Sequence, residues 1–148
     1  MQVRTYALSV DASRDAVFNF LADIENLPKW ATGFGERLEL RYSGWWAYTS
    51  RGEMIVEAEA DDRTGVIDLR IGPSVDKLEN FPLRVLALSG TRTLVSFSLI
   101  QPPDLPNEQY EKRCRSLQFE IQKLILRFGG GELHVPEADP QAGVLGLN

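Results

Sequence analysis

The sequence predicts an α+β fold made of one antiparallel sheet of six or seven strands and a single long helix near the C-terminal end. Between residues 36 and 100, apolar side chains alternate with polar ones in short runs that turn residues separate. After Gln101 the apolar residues instead fall every three or four positions as far as Phe128, which is helical spacing. The length of 148 residues suits one domain with its own core.

The first elements are a strand and two short helices. The strand is predicted from Val3 to Val10, where Tyr6 and Leu8 alternate with smaller or more polar residues. A helix should begin after Ser13, because its hydroxyl group can accept a hydrogen bond from the free N–H groups of the first turn. A second short helical segment is predicted from Asn26 to Ala31, with Asn26 as its cap.

The sheet continues through runs of alternating residues, and the long helix follows them. The further predicted strands cover residues 38–42, 45–49, 53–60, 66–71, 81–88 and 91–100. The third of these runs has the clearest alternation, with glutamates between small and medium apolar residues, and predicts one buried and one solvated face. The helix is predicted from Pro106 to Phe128, and the three glycines after Phe128 end it.

The last residues differ in composition from the rest. We predict a domain over residues 1–128 and a Gly- and Pro-rich tail over residues 129–148 that docks on its own chain or on a neighbouring one. The apolar residues of the tail are the expected docking points, since a tail of this composition is ordered only when something holds it. They are Leu133, Val135, Val144, Leu145 and Leu147.

Charge and composition exclude several classes of partner. Sixteen Lys and Arg against 21 Asp and Glu give a net charge of −5, and a nucleic-acid-binding surface needs the opposite sign to displace phosphate counterions. No apolar run approaches the roughly 20 residues that span a bilayer, and the N-terminal residues do not form a basic segment followed by an apolar one. We expect a cytoplasmic protein with no nucleic-acid partner and no membrane insertion.

Several short segments carry a resemblance to a known superfamily. They are Ala12–Phe18 with Leu21–Asp23, Leu27–Trp30, Gly65–Asp68, Phe81–Val85 and Phe97–Pro103. In this order they resemble the START-like (SRPBCC) superfamily, which includes Bet v 1-like and polyketide cyclase/dehydrase-like proteins. The resemblance extends from about residue 2 to residue 128. It implies a helix-grip fold: a curved antiparallel sheet wrapped around the C-terminal helix, with two short helices and an apolar cavity between sheet and helix.

The residues that should line such a cavity are inward-facing apolar side chains, aromatic residues near its mouth, and tyrosines as polar groups. They are Trp30, Phe34, Tyr42, Met54, Val56, Ile67, Leu69, Leu83, Val85, Phe97, Tyr110, Leu117 and Ile121. The alternative is that these side chains simply fill the core.

The sequence contains no convincing catalytic or metal-binding arrangement. His134, the only histidine, lies in the tail, and Cys114, the only cysteine, lies on the apolar stripe of the helix with no base beside it in the sequence. The glutamates at 53, 57 and 59 should point to water, and no phosphate loop or nucleophile elbow is present. No catalytic residue, metal or cofactor is predicted.

Asp68 and Arg84 form the most specific polar pair. In a hairpin centred near Asp76, the two residues would stand opposite each other, because each lies eight positions from the centre. Their position in the alternation predicts a structural ion pair on the outer face of the sheet; a role in the cavity is the alternative.

Three functions remain open at this point. The first is binding of a small hydrophobic or amphipathic ligand between the sheet and the long helix. The second is a cyclase- or dehydratase-type enzyme that uses the same cavity, which would need an inward acid or base. The candidate groups for that chemistry are Tyr42, Tyr48, Tyr110, Asp68 and Arg84. The third is a non-catalytic homodimeric interaction module.

Overall fold

The structure is a computed structural model and describes residues 1–31, 33 and 35–136. Within these residues eight strands form one antiparallel sheet: β1 (Val3–Val10), β2 (Arg37–Arg41), β3 (Gly44–Thr49), β4 (Gly52–Asp61), β5 (Val66–Gly72), β6 (Glu79–Ala87), β7 (Thr93–Ile100) and β8 (Glu132–His134). The helices described with it are α1 (Arg14–Ala22), α2 (Leu27–Trp30) and α3 (Asn107–Phe128). A short 3₁₀ turn, Ile24–Asn26, joins α1 to α2.

The strand order in the sheet is β2-β3-β4-β5-β6-β7-β1-β8. The first strand therefore lies beside the last long one, with Val3 opposite Ile100 and Val10 opposite Thr93. This confirms the predicted α+β architecture, a curved antiparallel sheet with a long C-terminal helix and short helices after the first strand. No helix in the described ranges is both long and apolar enough to cross a membrane.

The predicted count of six or seven strands is too low by the short strand β8. It pairs with β1, where Leu133 lies opposite Leu8. Three residues after a run of glycines are too few to display an alternating pattern, so the sequence gives this strand no signal. Val135 follows the strand and is exposed. The other expected docking residues, Val144, Leu145 and Leu147, lie outside the described residues.

The N-terminal helices follow their local signals in part. The Ser13 hydroxyl oxygen accepts a hydrogen bond from the Ala16 N–H at 3.2 Å, so α1 begins as predicted. The second helical segment instead consists of the 3₁₀ turn and the single turn of α2. Asn26 does not cap it, since the Asn26 side chain donates to the Phe20 carbonyl oxygen at 3.0 Å and thereby ties the segment to α1.

The core lies between the inner face of the sheet and one side of α3. Tyr110, Cys114, Leu117, Ile121 and Leu124 are the apolar side chains that α3 buries, at the helical spacing seen in the sequence. The sheet contributes every second residue of its central strands, and α2 inserts one large aromatic ring between the two layers.

The β5–β6 hairpin differs from the predicted register by two residues, which keeps each side chain on its predicted face. Asp68 lies opposite Pro82 and Val66 lies opposite Arg84, so the two charged residues are diagonal neighbours rather than directly opposed. The Arg84 Nη1 atom is 3.0 Å from the Asp68 Oδ1 atom, on the face opposite the core. The loop after Gly72 sets the register. The Lys77 carbonyl oxygen in this loop lies where a larger residue at position 72 would place its Cβ atom, so the loop packs closely against the strand only because residue 72 is glycine.

Gly65 should tolerate no larger residue. Its φ is +77°, and an added Cβ atom would overlap the Val85 carbonyl oxygen on the neighbouring strand. Gly65→Ala is therefore expected to lower the free energy of unfolding by more than about 1 kcal/mol in a urea titration. Gly90→Ala is the matched control, since nothing lies within 4 Å of the added atom, and it should change stability by less than about 0.5 kcal/mol. Equal stabilities of the two variants would contradict this assignment.

Candidate functional site

A cavity of about 460 Å³ opens between α3 and the sheet. One wall is a single face of α3, because its members recur every three or four residues: Gln109, Lys112, Arg113, Ser116, Leu117 and Glu120. The other wall combines residues of two strands with three loops: Gly33, Ser50, Arg51, Phe81, Leu99 and Leu105. The face of α3 that lines the cavity is rotated by about one position from the face that fills the core.

The lining is amphipathic. Phe81 from β6, Leu99 from β7, Leu105 and Leu117 provide its apolar surface. The remaining side chains are polar or charged, and three of them are cationic: Arg51 in the β3–β4 turn, and Lys112 and Arg113 on α3. The cavity is therefore more polar than the apolar pocket that the resemblance implies.

Glu120 is a buried carboxyl group in this lining. Only 7% of the residue is exposed, and its Oε1 atom accepts a hydrogen bond from the Gly33 N–H at 3.0 Å. Burial raises the pKa of Glu120 to about 7, against opposing effects of the Gly33 hydrogen bond and the charge of Lys123. A group with this pKa can either donate or accept a proton near neutral pH.

Two guanidinium groups lie near one carboxylate at another part of the cavity. The Arg113 Nη1 atom is 2.8 Å from the Glu79 Oε2 atom. Burial lowers the pKa of Arg51, and the like charge of Arg113 lowers it further, whereas Glu79 opposes the change. In the part of the chain that the structure describes, the Arg51 side chain forms no hydrogen bond and no ion pair of its own.

Of the predicted lining residues, Leu117 faces this cavity. Ten others are buried in the core: Trp30, Met54, Val56, Ile67, Leu69, Leu83, Val85, Phe97, Tyr110 and Ile121. Below the cavity, two voids of about 10 Å³ each remain between some of these side chains and share Phe81 with it. The Trp30 ring, 1% exposed, occupies the space between the sheet and α3, so the open volume lies farther along the helix.

Tyr42 requires a correction, and Phe34 lies outside the described residues. Tyr42 is fully exposed in the tight turn between β2 and β3. A turn of this kind projects the side chain into solvent, whereas the alternation assigned it to a strand. Tyr42 is therefore not a cavity residue.

The charged residues of the cavity are not among those predicted from the sequence. Glu120 had a signal, because it lies three residues after Leu117 and four before Leu124, within the apolar stripe of α3. A carboxyl group at such a position must be buried or must face a cavity. Arg51 had none, since it lies in a turn whose sequence is typical of an exposed loop.

The other chemically interesting side chains do not form a site. His134 is exposed on β8, and Cys114 is buried below α3. The Tyr110 hydroxyl group donates to the Leu99 carbonyl oxygen at 2.6 Å, and burial raises the pKa of that hydroxyl. Within the described ranges, no group of three or more His, Cys, Asp or Glu side chains could hold a metal ion.

No protein-family model matches the sequence, and no curated protein matches it either. Solved structures do resemble the fold. A START superfamily protein from Mycobacterium smegmatis is 13% identical, with a TM-score of 0.58 over 85% of this chain and 96% of its own. An aromatase/cyclase from Streptomyces is 14% identical, with a TM-score of 0.56 over 86% of this chain and 90% of its own.

An HSP90 activator from Plasmodium falciparum is also similar, at 12% identity and a TM-score of 0.63 over 89% of this chain and 100% of its own. These likenesses confirm the resemblance at the level of the fold, which is the START-like helix-grip fold. An aromatase/cyclase and an HSP90 activator share this fold, so the fold alone does not select a function.

Proposed function

We propose that this protein binds a small amphipathic molecule in the cavity between α3 and the sheet. The observation that carries the proposal is the cavity itself, about 460 Å³ in volume with apolar side chains on one part of its wall and charged ones on another. Ligand pockets typically measure about 300–1,000 Å³ and combine apolar surface with a few polar groups. Burial of the apolar part of the ligand against Phe81, Leu99 and Leu117 would supply most of the affinity.

The similarity in fold to these solved structures is consistent with ligand binding but does not identify a ligand. A START protein and an aromatase/cyclase share the architecture, at identities where only the fold carries over. The proposal therefore depends on the cavity and its lining, and not on the names of those proteins.

Acid–base catalysis of the cyclase or dehydratase type is the second candidate. One observation favours it: Glu120 is a buried carboxyl group in the cavity lining, and its pKa is about 7. Such a group could transfer a proton to or from a bound substrate at neutral pH. The homodimeric module stays a prediction from the sequence.

Filling the cavity tests the binding function. Ser116→Trp places a large ring in the lining of α3 at an exposed position, so the core is untouched. We expect this variant to bind N-phenyl-1-naphthylamine, a neutral fluorescent probe, and 1-anilinonaphthalene-8-sulfonate, an anionic one, at least about tenfold more weakly than the wild type. Fluorescence titration of both probes measures the change.

Gln122→Trp is the matched control. It adds the same ring to an exposed position of α3 that does not line the cavity, and it should leave both affinities unchanged. Native mass spectrometry of the purified protein would complement the titration by identifying any molecule that co-purifies. Failure of both probes to bind, or equal affinities of the wild type and Ser116→Trp, would refute the proposed function.

A further inference from the structure

We propose that the ligand is an organic carboxylate whose acidic group binds at Arg51 and Arg113 while its apolar body lies against Phe81, Leu99 and Leu117. This inference rests on the proposed function and names the chemical class of the ligand. Two observations support it: the charged side chains that line the cavity, and the fact that some of them already have ion-pair partners.

The charged side chains of the cavity lining are mostly positive, whereas the net charge of the whole chain is negative. The chain carries a net charge of −5, yet Arg51, Lys112 and Arg113 all line this one cavity. Glu79 pairs with Arg113 alone, and the buried position of Glu120 favours its neutral form. A local excess of positive charge therefore remains in the cavity lining.

Arg51 is the arginine of this cluster that remains available to a ligand, because Glu79 pairs with Arg113. Its side chain has no hydrogen bond and no ion pair among the described residues, although Arg113 is close enough to repel it. A guanidinium group carries five N–H donors in a planar fork, which fits the two oxygens of a carboxylate. An anionic group here would relieve the repulsion between the two arginines and satisfy donors that have no partner among the described residues.

Glu79 indicates which anion fits. A carboxylate already binds Arg113 at 2.8 Å in this cluster, so the geometry around the arginines accommodates a carboxylate oxygen. The apolar lining begins beside the cluster, because Arg113 and Leu117 are separated by one turn of α3 and Phe81 lies two residues beyond Glu79 on β6. A ligand with a carboxylate at one end and an apolar body at the other matches this arrangement.

The test compares each carboxylate with its neutral amide of the same shape. The pairs are decanoate with decanamide and 2-naphthoate with 2-naphthamide, measured by isothermal titration calorimetry at pH 6.0 and low salt, where Glu120 is mostly neutral and both carboxylates are ionised. We expect the wild type to bind each carboxylate at least about tenfold more tightly than its amide, since hydrogen bonds to charged groups are stronger than neutral ones. The difference should shrink as salt is added, because the cluster is partly exposed.

Arg51→Gln should remove the preference by weakening carboxylate binding about tenfold while amide binding stays the same. Arg51→Lys should retain part of the preference, because it keeps the charge and loses the fork. Arg115→Gln is the matched control: it removes a positive charge from an exposed position of α3 outside the cavity lining, and it should change neither affinity.

Each negative result of these titrations would contradict a different claim. Equal binding of carboxylates and amides by the wild type would overturn this inference and leave the proposed function intact. A preference that survives in Arg51→Gln would overturn the role given to that residue. Failure of all four compounds to bind would overturn both the inference and the proposed function. Circular dichroism of each variant should match the wild type, because Arg51 lies in a surface turn and Arg115 lies at an exposed position of α3.

Discussion

Replacement of Trp30 with alanine should lower the free energy of unfolding by about 3–5 kcal/mol, the usual loss for a large aromatic residue in a core. The Trp30 ring is 1% exposed and packs against Phe97, with 5.7 Å between the ring centroids. It fills the space between the sheet and α3, and the truncation would leave a cavity there. Urea denaturation followed by circular dichroism at 222 nm measures the effect.

Two further variants separate the volume of the ring from its polar atom. The Trp30 Nε1 atom is buried without a hydrogen-bond partner among the described residues, so Trp30→Phe removes an unsatisfied donor while it keeps most of the ring. It should therefore cost clearly less than Trp30→Ala. Trp46→Ala on β3, where the ring is partly exposed and its Nε1 atom donates to the Ser43 hydroxyl oxygen at 3.0 Å, should cost about 1 kcal/mol. If Trp30→Ala costs no more than Trp46→Ala, the ring does not have this structural role.

Replacement of Glu120 with glutamine should change how stability depends on pH. The pKa of Glu120 rises from an ordinary value of 4.5 to about 7 in the folded protein. Between these values the folded state holds a proton that the unfolded state has lost, so stability falls as pH rises. Between pH 5 and pH 8 the wild type should lose about 2–3 kcal/mol through this group, at about 1.4 kcal/mol per pKa unit.

Glu120→Gln should lack that loss, because glutamine stays neutral and its side-chain oxygen can still accept the Gly33 hydrogen bond. The variant should therefore gain about 2–3 kcal/mol on the wild type between pH 5 and pH 8. Urea titrations of both proteins at several pH values measure the two slopes. Glu108→Gln, at an exposed position in the first turn of α3, should keep the slope of the wild type. Parallel slopes for Glu120→Gln and the wild type would show that the carboxyl group does not hold a proton in this range.

Local patterns predicted the elements of this fold because their causes are local. The alternation around Tyr6 and Leu8 is enough to define β1, and the Ser13 hydroxyl group is enough to begin α1. The apolar stripe of α3 follows from helical spacing alone. The β5–β6 register depends instead on how one loop packs against Gly72, and a symmetric count along the sequence does not contain that contact.

The cavity was harder to predict because periodicity indicates the face of a residue but not the space in front of it. Leu69 and Val85 do face inward as the alternation predicts, yet other side chains already fill the volume before them. The open volume lies where the neighbouring side chains are long and charged, as at Arg51. Its position depends on the sizes and directions of residues that are far apart in the sequence.

The pairing of β8 with β1 has a consequence for the solubility of the molecule. Without β8, the outer edge of β1 would offer its backbone N–H and C=O groups to any other strand, and such an edge is a template for aggregation. The three residues of β8 cover Ala7, Leu8 and Ser9 of that edge. A chain that ends before Glu132 would leave the backbone groups of this edge unpaired. The short strand β8 thus protects the edge of the sheet from pairing with a strand of a second copy of the chain. This role is separate from ligand binding.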